Sequence, residues 1–397
     1  MIPYADFLYF GILLYPLLPA LLFGLLLGAR FGGWFMRIWI LLATAGMLAL
    51  QYSGTVQITP QSTLPVLALV AGYALVELVL AFVFLQVRSR TRGQRGFFYT
   101  AILLALLPLA VVKLSPWLAA PENALGFVGI SYLTFRALDV IICIQDKLIT
   151  SLSPIQYLAY LLFFPTISSG PIDRYRRFAV DWKHSRTRAE VLQDLDGAVH
   201  RIFTGFLYKF ILAALIKQYL MDPLAPQSDW RSIWLYMYAY SFYLFFDFAG
   251  YSAFAIGVSY ILGIHSPENF NKPFLARNIR DFWNRWHMSL SYWFRDHVYM
   301  RIVMAATRGR WFKDRSMGSY LAFIVSFGLM GLWHGTQLHY ILYGFYHAFL
   351  LIGNDLFSRW NRTRKLVGEG PLWRCCSVLI TFHVVAFGFL LFSGRLG

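Results

Sequence analysis

Long apolar runs separated by short basic stretches dominate this chain. The runs fall at residues 7–28, 38–50, 64–87, 97–112 and 125–144, then at 202–220, 232–264, 316–333, 340–356 and 375–392. The first has no charge across 22 residues, and at 1.5 Å per residue such a helix crosses the hydrocarbon of a bilayer. The pattern predicts about ten membrane spans, with one or two short re-entrant pieces besides. The run at 232–264 is too long for one straight span and predicts a tilt or a break near Gly250. The first run lacks a basic n-region and a small-residue cleavage pattern, so it reads as a retained helix and not a signal peptide.

Two regions depart from simple spans. LLFFPTISSGPIDRYRRF passes from apolar residues through Pro165, Ser168, Ser169, Gly170 and Pro171 into a basic cluster. Proline and glycine interrupt a helix there, which predicts a segment that dips into the protein and returns. Residues 265–315 are rich in aromatics but carry too many charges to span. The basic loops orient the rest: Arg30 and Arg37, RSRTRGQR, and DRYRRF with Arg186 and Arg188 are expected in the cytoplasm. QYSGTVQITPQST and SPWLAAPEN carry little positive charge and are expected outside, with the N-terminus. No linker, repeat or low-complexity tract appears, so residues 1–397 read as one membrane domain.

Composition agrees with the pattern. The chain is 58% hydrophobic and 14% charged, against about 25% charged for soluble proteins. Its net charge of +16 comes from 35 basic and 19 acidic residues. Two accounts use the same electrostatics: the positive-inside rule with anionic lipid, or an acidic protein partner. Nucleic acid is excluded, because no soluble domain exists to carry it. Cys143, Cys375 and Cys376 have neither metal spacing nor a disulfide framework.

Candidate chemistry concentrates in two histidines. Residues 279–299, read as one helix, place Trp283, Trp286, Leu290 and Trp293 on one face. Arg280, Asn284, His287, Ser291 and Arg295 form the other. Either this is an interfacial helix with tryptophans in lipid, or it packs under the membrane domain with His287 turned towards a central channel. Mixed charge signs and the neutral Asn284 favour the second. His334 closes the uncharged run in GLMGLWHGTQLHY, beside Trp333. It is either a histidine tied to a carbonyl or a base where Gly331 and Gly335 let a substrate approach. The five-residue step from His334 to His339 is poor for shared metal ligation, so no metal site is expected. Glu77, Arg136, Asp139 and Asp247 also fall in apolar runs. Arg136 and Asp139, at i,i+3, are expected to neutralise each other. Asp247 has no partner near in sequence and is a candidate for a cavity. In YMRIVMAATRGRWFKDR, Val303 and Met304 sit amid Arg301, Arg308, Arg310, Lys313 and Arg315, a surface for anionic lipid heads or an acidic protein helix.

The order FFPTISSGPIDRYRRF, NKPF…RDFWNRWHMSLSYWFRDHVYMR and GLWHG resembles the membrane-bound O-acyltransferases over essentially the whole chain. SGPIDRYRRF points to their D-alanyl-transferring branch. The resemblance implies an all-α polytopic fold, a ring of about eleven transmembrane helices around a central funnel that meets at the histidines. It implies His334 as the catalytic histidine and His287 as a second polar position. Asn284, Ser291, Trp333, Gly335 and Asp247 are then candidates for the substrate tunnel. The implied donor is D-alanine, held as a thioester on the phosphopantetheine of a small acidic cytoplasmic carrier protein. Residues 299–315 match the region that receives this carrier. The implied acceptor is lipoteichoic acid outside the plasma membrane of a Gram-positive cell. The transfer is direct or passes through an intermediate such as a small membrane partner, and the chain itself binds no cofactor. Transport of D-alanine or a D-alanyl lipid, and polysaccharide O-acetylation, are the rival readings.

Overall fold

The computed structural model describes residues 3–5, 7–59, 62–91, 94–114, 127–365, 368 and 370–396. SPWLAAPEN and parts of the RSRTRGQR and QYSGTVQITPQST loops lie outside the described residues. Among the described residues, eight helical stretches are long and apolar enough to cross a membrane. The described chain forms two compact units, residues 1–204 with 251–267, and residues 205–250 with 268–397.

The first unit opens with α1 (Phe7–Gln51), which carries two spans, Phe7–Leu27 and Gly33–Gln51. The Trp39 indole donates to the Pro16 carbonyl at 2.7 Å. Along a straight helix these residues lie about 35 Å apart, so the chain doubles back between the spans. A short hairpin (Thr55–Thr59 with Ser62–Pro65) leads into α2 (Val66–Arg90), followed by α3 (Arg95–Leu114). Next, α4 (Ile130–Gln145) is buried on nearly every side, so it belongs to the interior of this unit. The helices α5 (Pro154–Leu161) and α6 (Tyr175–Lys183) flank the proline–glycine segment.

That segment is buried, and side chains from α4 hold it. Leu161 would ordinarily receive the N–H of residue 165, but Pro165 has none. Arg136 takes its place: the guanidinium, 1% exposed, donates to the carbonyls of Tyr160 at 3.1 Å, Leu161 at 2.9 Å and Thr166 at 2.7 Å. One turn on, Asp139 accepts from Arg174 at 2.9 Å and from the Tyr175 N–H at 3.0 Å. The expected Arg136–Asp139 pair therefore does not form. Each group serves a different end of the broken segment, because unpaired backbone groups away from water cost more than an i,i+3 ion pair gains.

Between α6 and the long helix α7 (Arg188–Leu224), the first unit gathers a charged cluster. His265 bonds Asp194 through Nε2 at 2.8 Å and Asp181 through its backbone N–H at 2.7 Å, while Arg186 holds Asp194 at 2.9 Å. The Asp181 carboxylate, 3.6 Å from the ring Nδ1, and then Asp194 at Nε2 raise the His265 pKa to about 9.

In the second unit, the later part of α7 winds through π turns at Leu207–Ala213 and Lys217–Met221. Then α8 (Trp230–Ile261) runs as one helix of 32 residues. Of the tilt or break expected near Gly250, the break is absent; that glycine admits a close neighbour, since a Cβ there would lie 2.8 Å from the Lys209 backbone nitrogen. After α9 (Ile279–Trp283), α10 (Met288–Phe294) and α11 (Met300–Gly309) come α12 (Arg315–His334), α13 (Leu338–Arg364) and α14 (Pro371–Phe392). The helices α12 and α13 cross at Gly331 and Gly344, where an added Cβ on Gly331 would meet the Tyr340 carbonyl oxygen at 2.5 Å. Small residues permit this backbone approach, which supplies packing where lipid offers no hydrophobic drive.

The charged cluster gives a pH prediction. His265 has a raised folded-state pKa, so its contribution is full below about 6.5, the unfolded value, and is lost as pH rises through about 9. Thermal melting of His265→Gln in detergent is expected to fall below wild type near pH 6, with the gap closing by pH 9.5. A gap independent of pH would assign the loss to packing.

Candidate functional site

The expected single helix over residues 279–299 is broken. The helix α9 ends at Trp283, residues 284–287 turn, and α10 starts at Met288. His287 sits in the left-handed region, at φ 43° and ψ 52°, a conformation that non-glycine residues adopt at a cost of about 1–2 kcal/mol. The preceding loop holds it there. The Asn269 carbonyl accepts the Met288 N–H at 2.9 Å, and the Asn269 side-chain oxygen accepts the Ser289 hydroxyl at 2.6 Å. The Asn271 N–H in turn donates to the Arg285 carbonyl at 2.9 Å. These bonds replace those that a continuous helix would make.

The kink undoes the two-faced pattern. Trp283, Trp286, Leu290 and Trp293 are buried as expected, but His287 is buried with them, while Asn284 is exposed. His287 is 4% exposed, and among the described residues neither ring nitrogen has a hydrogen-bond partner. Leaving such a group unsatisfied costs about 1–3 kcal/mol, which marks the imidazole as a candidate functional group. Burial, and then the neighbouring His334 ring, lower its pKa to about 3. It is therefore neutral, with one nitrogen to donate and one to accept.

His334 is the last residue of α12, half-buried and packed against Trp333 at 4.5 Å and Phe392 at 4.8 Å between ring centroids. Both histidines line one cavity of about 60 Å³, together with Phe248, Trp286, Met330 and Tyr343. Phe248 meets the His287 ring edge-on at 4.7 Å. Such a space admits a few waters or the reacting ends of two substrates, with aromatic walls that exclude bulk water.

Several expected tunnel residues lie elsewhere. Ser291 donates to the Trp286 carbonyl at 3.1 Å, and the exposed Asn284 caps α9, so neither lines the cavity. Asp247 also lies off it, paired with Lys209 from the π turn of α7. Trp333 stays beside both imidazoles, 6.5 Å from His287. Gly335 packs closely on Tyr340, whose ring an added Cβ would meet at 2.5 Å, and Gly331 sits at the α12–α13 crossing. The histidines meet while the polar face does not, because a left-handed residue resets the helical phase.

Residues that the sequence did not single out complete the site. Asn269 and Ser289 pin the kink, and the buried His347 accepts the Trp283 indole N–H at 3.3 Å. NKPF was visible as a motif, but nothing in it disclosed the bond from Asn269. On α11 and the following turn, Met304, Arg308, Arg310 and Lys313 are exposed, and Arg301 and Val303 half-buried. Trp311 and Phe312, 55% and 42% exposed, extend the apolar part of this basic surface.

Comparison with known proteins adds an independent line. The family model of MBOAT, the membrane-bound O-acyltransferase family, matches residues 77–391. The teichoic acid D-alanyltransferase of Bacillus subtilis (strain 168) is 44% identical over 409 residues, covering 100% of this chain and 98% of that protein. The teichoic acid D-alanyltransferase of Streptococcus thermophilus is 40% identical over 413 residues, covering 99% and 95%. A probable alginate O-acetylase, AlgI of Pseudomonas aeruginosa, is 30% identical over 273 residues, 68% of this chain and 49% of that protein.

The unpartnered imidazole generates a stability prediction. Replacing a buried group whose hydrogen bonds are unmade by an apolar ring removes its desolvation cost. His287→Phe is expected to melt at or above the wild-type temperature in detergent. A drop of several degrees would show that polar contacts hold this ring in place.

Proposed function

We propose that this chain, which belongs to the membrane-bound O-acyltransferase family, moves D-alanyl groups onto hydroxyls of teichoic acid at the cell membrane. It is an integral membrane acyltransferase. The observation that carries the reaction is the pair of imidazoles on one small cavity, one of them neutral with both nitrogens unpartnered. End-to-end identity with two teichoic acid D-alanyltransferases supplies the substrate class. The likeness to alginate O-acetylases is weaker and covers two thirds of the chain.

The donor in this reading is a thioester on the phosphopantetheine arm of an acidic carrier protein, and the acceptor is lipoteichoic acid. A thioester is already activated, so catalysis reduces to positioning, proton transfer and charge stabilisation. The acceptor hydroxyl oxygen attacks the thioester carbonyl carbon while His334 takes its proton. The C–S bond then breaks, the thiolate leaves, and the imidazolium returns the proton to sulfur. The products are an ester and a free thiol. His287, neutral and already in place, donates its N–H to the oxygen on which negative charge develops. Little reorganisation accompanies the step, because the kink fixes this ring before substrate arrives.

The carrier docks on α11 and the turn after it. Val303, Met304, Trp311 and Phe312 offer apolar contact amid Arg301, Arg308, Arg310 and Lys313. That combination suits an acidic amphipathic helix.

Two experiments test this reading. Purified protein in vesicles is given labelled D-alanyl carrier and lipoteichoic acid. His334→Ala is expected to lower transfer at least about 100-fold while inserting and melting normally. Near-normal transfer would remove His334 from the chemistry, and label that moves across the bilayer without covalent transfer would favour transport. Separately, Val303→Glu and Met304→Glu are expected to weaken carrier capture about tenfold or more through repulsion and lost apolar contact. Unchanged capture by both would place the docking surface elsewhere.

A further inference from the structure

One face of α8 carries a row of tyrosines, whose first ring, Tyr236, packs against Met237, Ala386 and Leu390. Tyr236, Tyr240, Leu244 and Phe248 follow one another at i,i+4, with Tyr243 beside them at i+3 from Tyr240. Leu244 and Phe248 line the histidine cavity. The row runs about 18 Å along the helix from Tyr236 to Phe248. The rings of Tyr236 and Tyr240 stack at 5.9 Å and 12°, and Tyr243 follows at 6.5 Å. Tyr240 has Tyr340 as an electrostatic neighbour and itself neighbours Tyr343, whose ring lies 6.2 Å from His334.

All three tyrosines are half-buried, and among the described residues their hydroxyls make no hydrogen bond and are not sealed from a solvent-sized probe. Hydroxyls without partners are costly against hydrocarbon, so three on one strip of a spanning helix face a polar path. The far end of the strip carries charge. Arg395 lies over the Tyr236 ring at 5.4 Å and donates to the carbonyls of Leu224, at 3.1 Å, and Gln227. It has no carboxylate partner among the described residues, and its Nε is buried without a bond. The Lys209 ammonium at the other end is already neutralised by Asp247.

We propose that this strip is the acceptor lane, a binding site for a polyol-phosphate chain that delivers one of its hydroxyls to the histidine cavity. Open hydroxyls match the polyol, and an uncompensated guanidinium matches a phosphate of the same chain. The inference rests on the transfer reaction proposed above and adds how the enzyme prefers a polymer over a small alcohol.

The test compares kcat/KM for a long polyglycerol phosphate with that for a single glycerophosphate, using the full-length protein in vesicles. The triple variant Tyr236→Phe, Tyr240→Phe, Tyr243→Phe keeps the rings and deletes only hydroxyls. It is expected to lower the long-to-short ratio about tenfold. Each single variant is expected to lower the ratio by a smaller factor, and these singles carry the test if the triple melts early. Arg395→Gln is expected to lower the ratio too and to flatten its dependence on salt. Trp234→Phe, on another face of α8, should leave the ratio unchanged. Wild-type transfer to polymer with an unaltered ratio in the tyrosine and arginine variants overturns the lane alone. No wild-type transfer to either acceptor overturns the reaction and the lane with it.

Discussion

A backbone out of reach of water must find partners for every N–H and C=O, and each irregular feature of this molecule depends on how that demand is met. Helices meet it internally. Where the chain leaves helical geometry, a side chain from elsewhere supplies the missing group. Arg136 stands in for the N–H that Pro165 lacks, Asp139 receives the first turn of α6, and Asn269 closes the break before α10. A fully buried guanidinium is costly to desolvate, and it is retained here because three carbonyls share it.

The break at His287 places the same structural device at the wall of the histidine cavity. In a continuous helix the imidazole would follow its neighbours at 100° per residue and share a face with Asn284 and Ser291. The left-handed turn rotates it inward instead, among Phe248, Trp286 and Trp333. The molecule accepts two costs there, a disfavoured backbone and two unmade hydrogen bonds. Both are of the size that a reacting group recovers when it binds, which is how a preorganised site lowers a barrier.

Electrostatics divides the labour among distant places in the chain. The cavity is lined by no Asp, Glu, Lys or Arg among the described residues, and burial keeps His287 neutral. Formal charge sits instead on the basic surface after α11, in the His265 cluster and at Arg395. In the proposed reaction these groups attract a charged polymer or an acidic protein without taking part in bond making, and the small cavity meets only the reacting ends.

The sequence by itself determined the membrane class, most of the spans and the interruption at Pro165–Pro171, and it singled out the two histidines that the fold brings to one cavity. Those properties follow from runs of apolar residues, helix-breaking residue types and titratable groups in apolar surroundings, all of which are local. It also suggested an Arg136–Asp139 pair, a cavity position for Asp247 and a single helix through His287, and there it misled. Arg136 bonds to residues 24 to 30 positions away, Asp247 to one 38 away, and the phase of the helix at His287 is set by a loop some twenty residues earlier. Periodicity assumes an unbroken helix, and spacing rules see only neighbours on one element. Which buried polar group finds a partner, and which is left open for chemistry, is settled by long-range hydrogen bonds, and only the tertiary structure decides those.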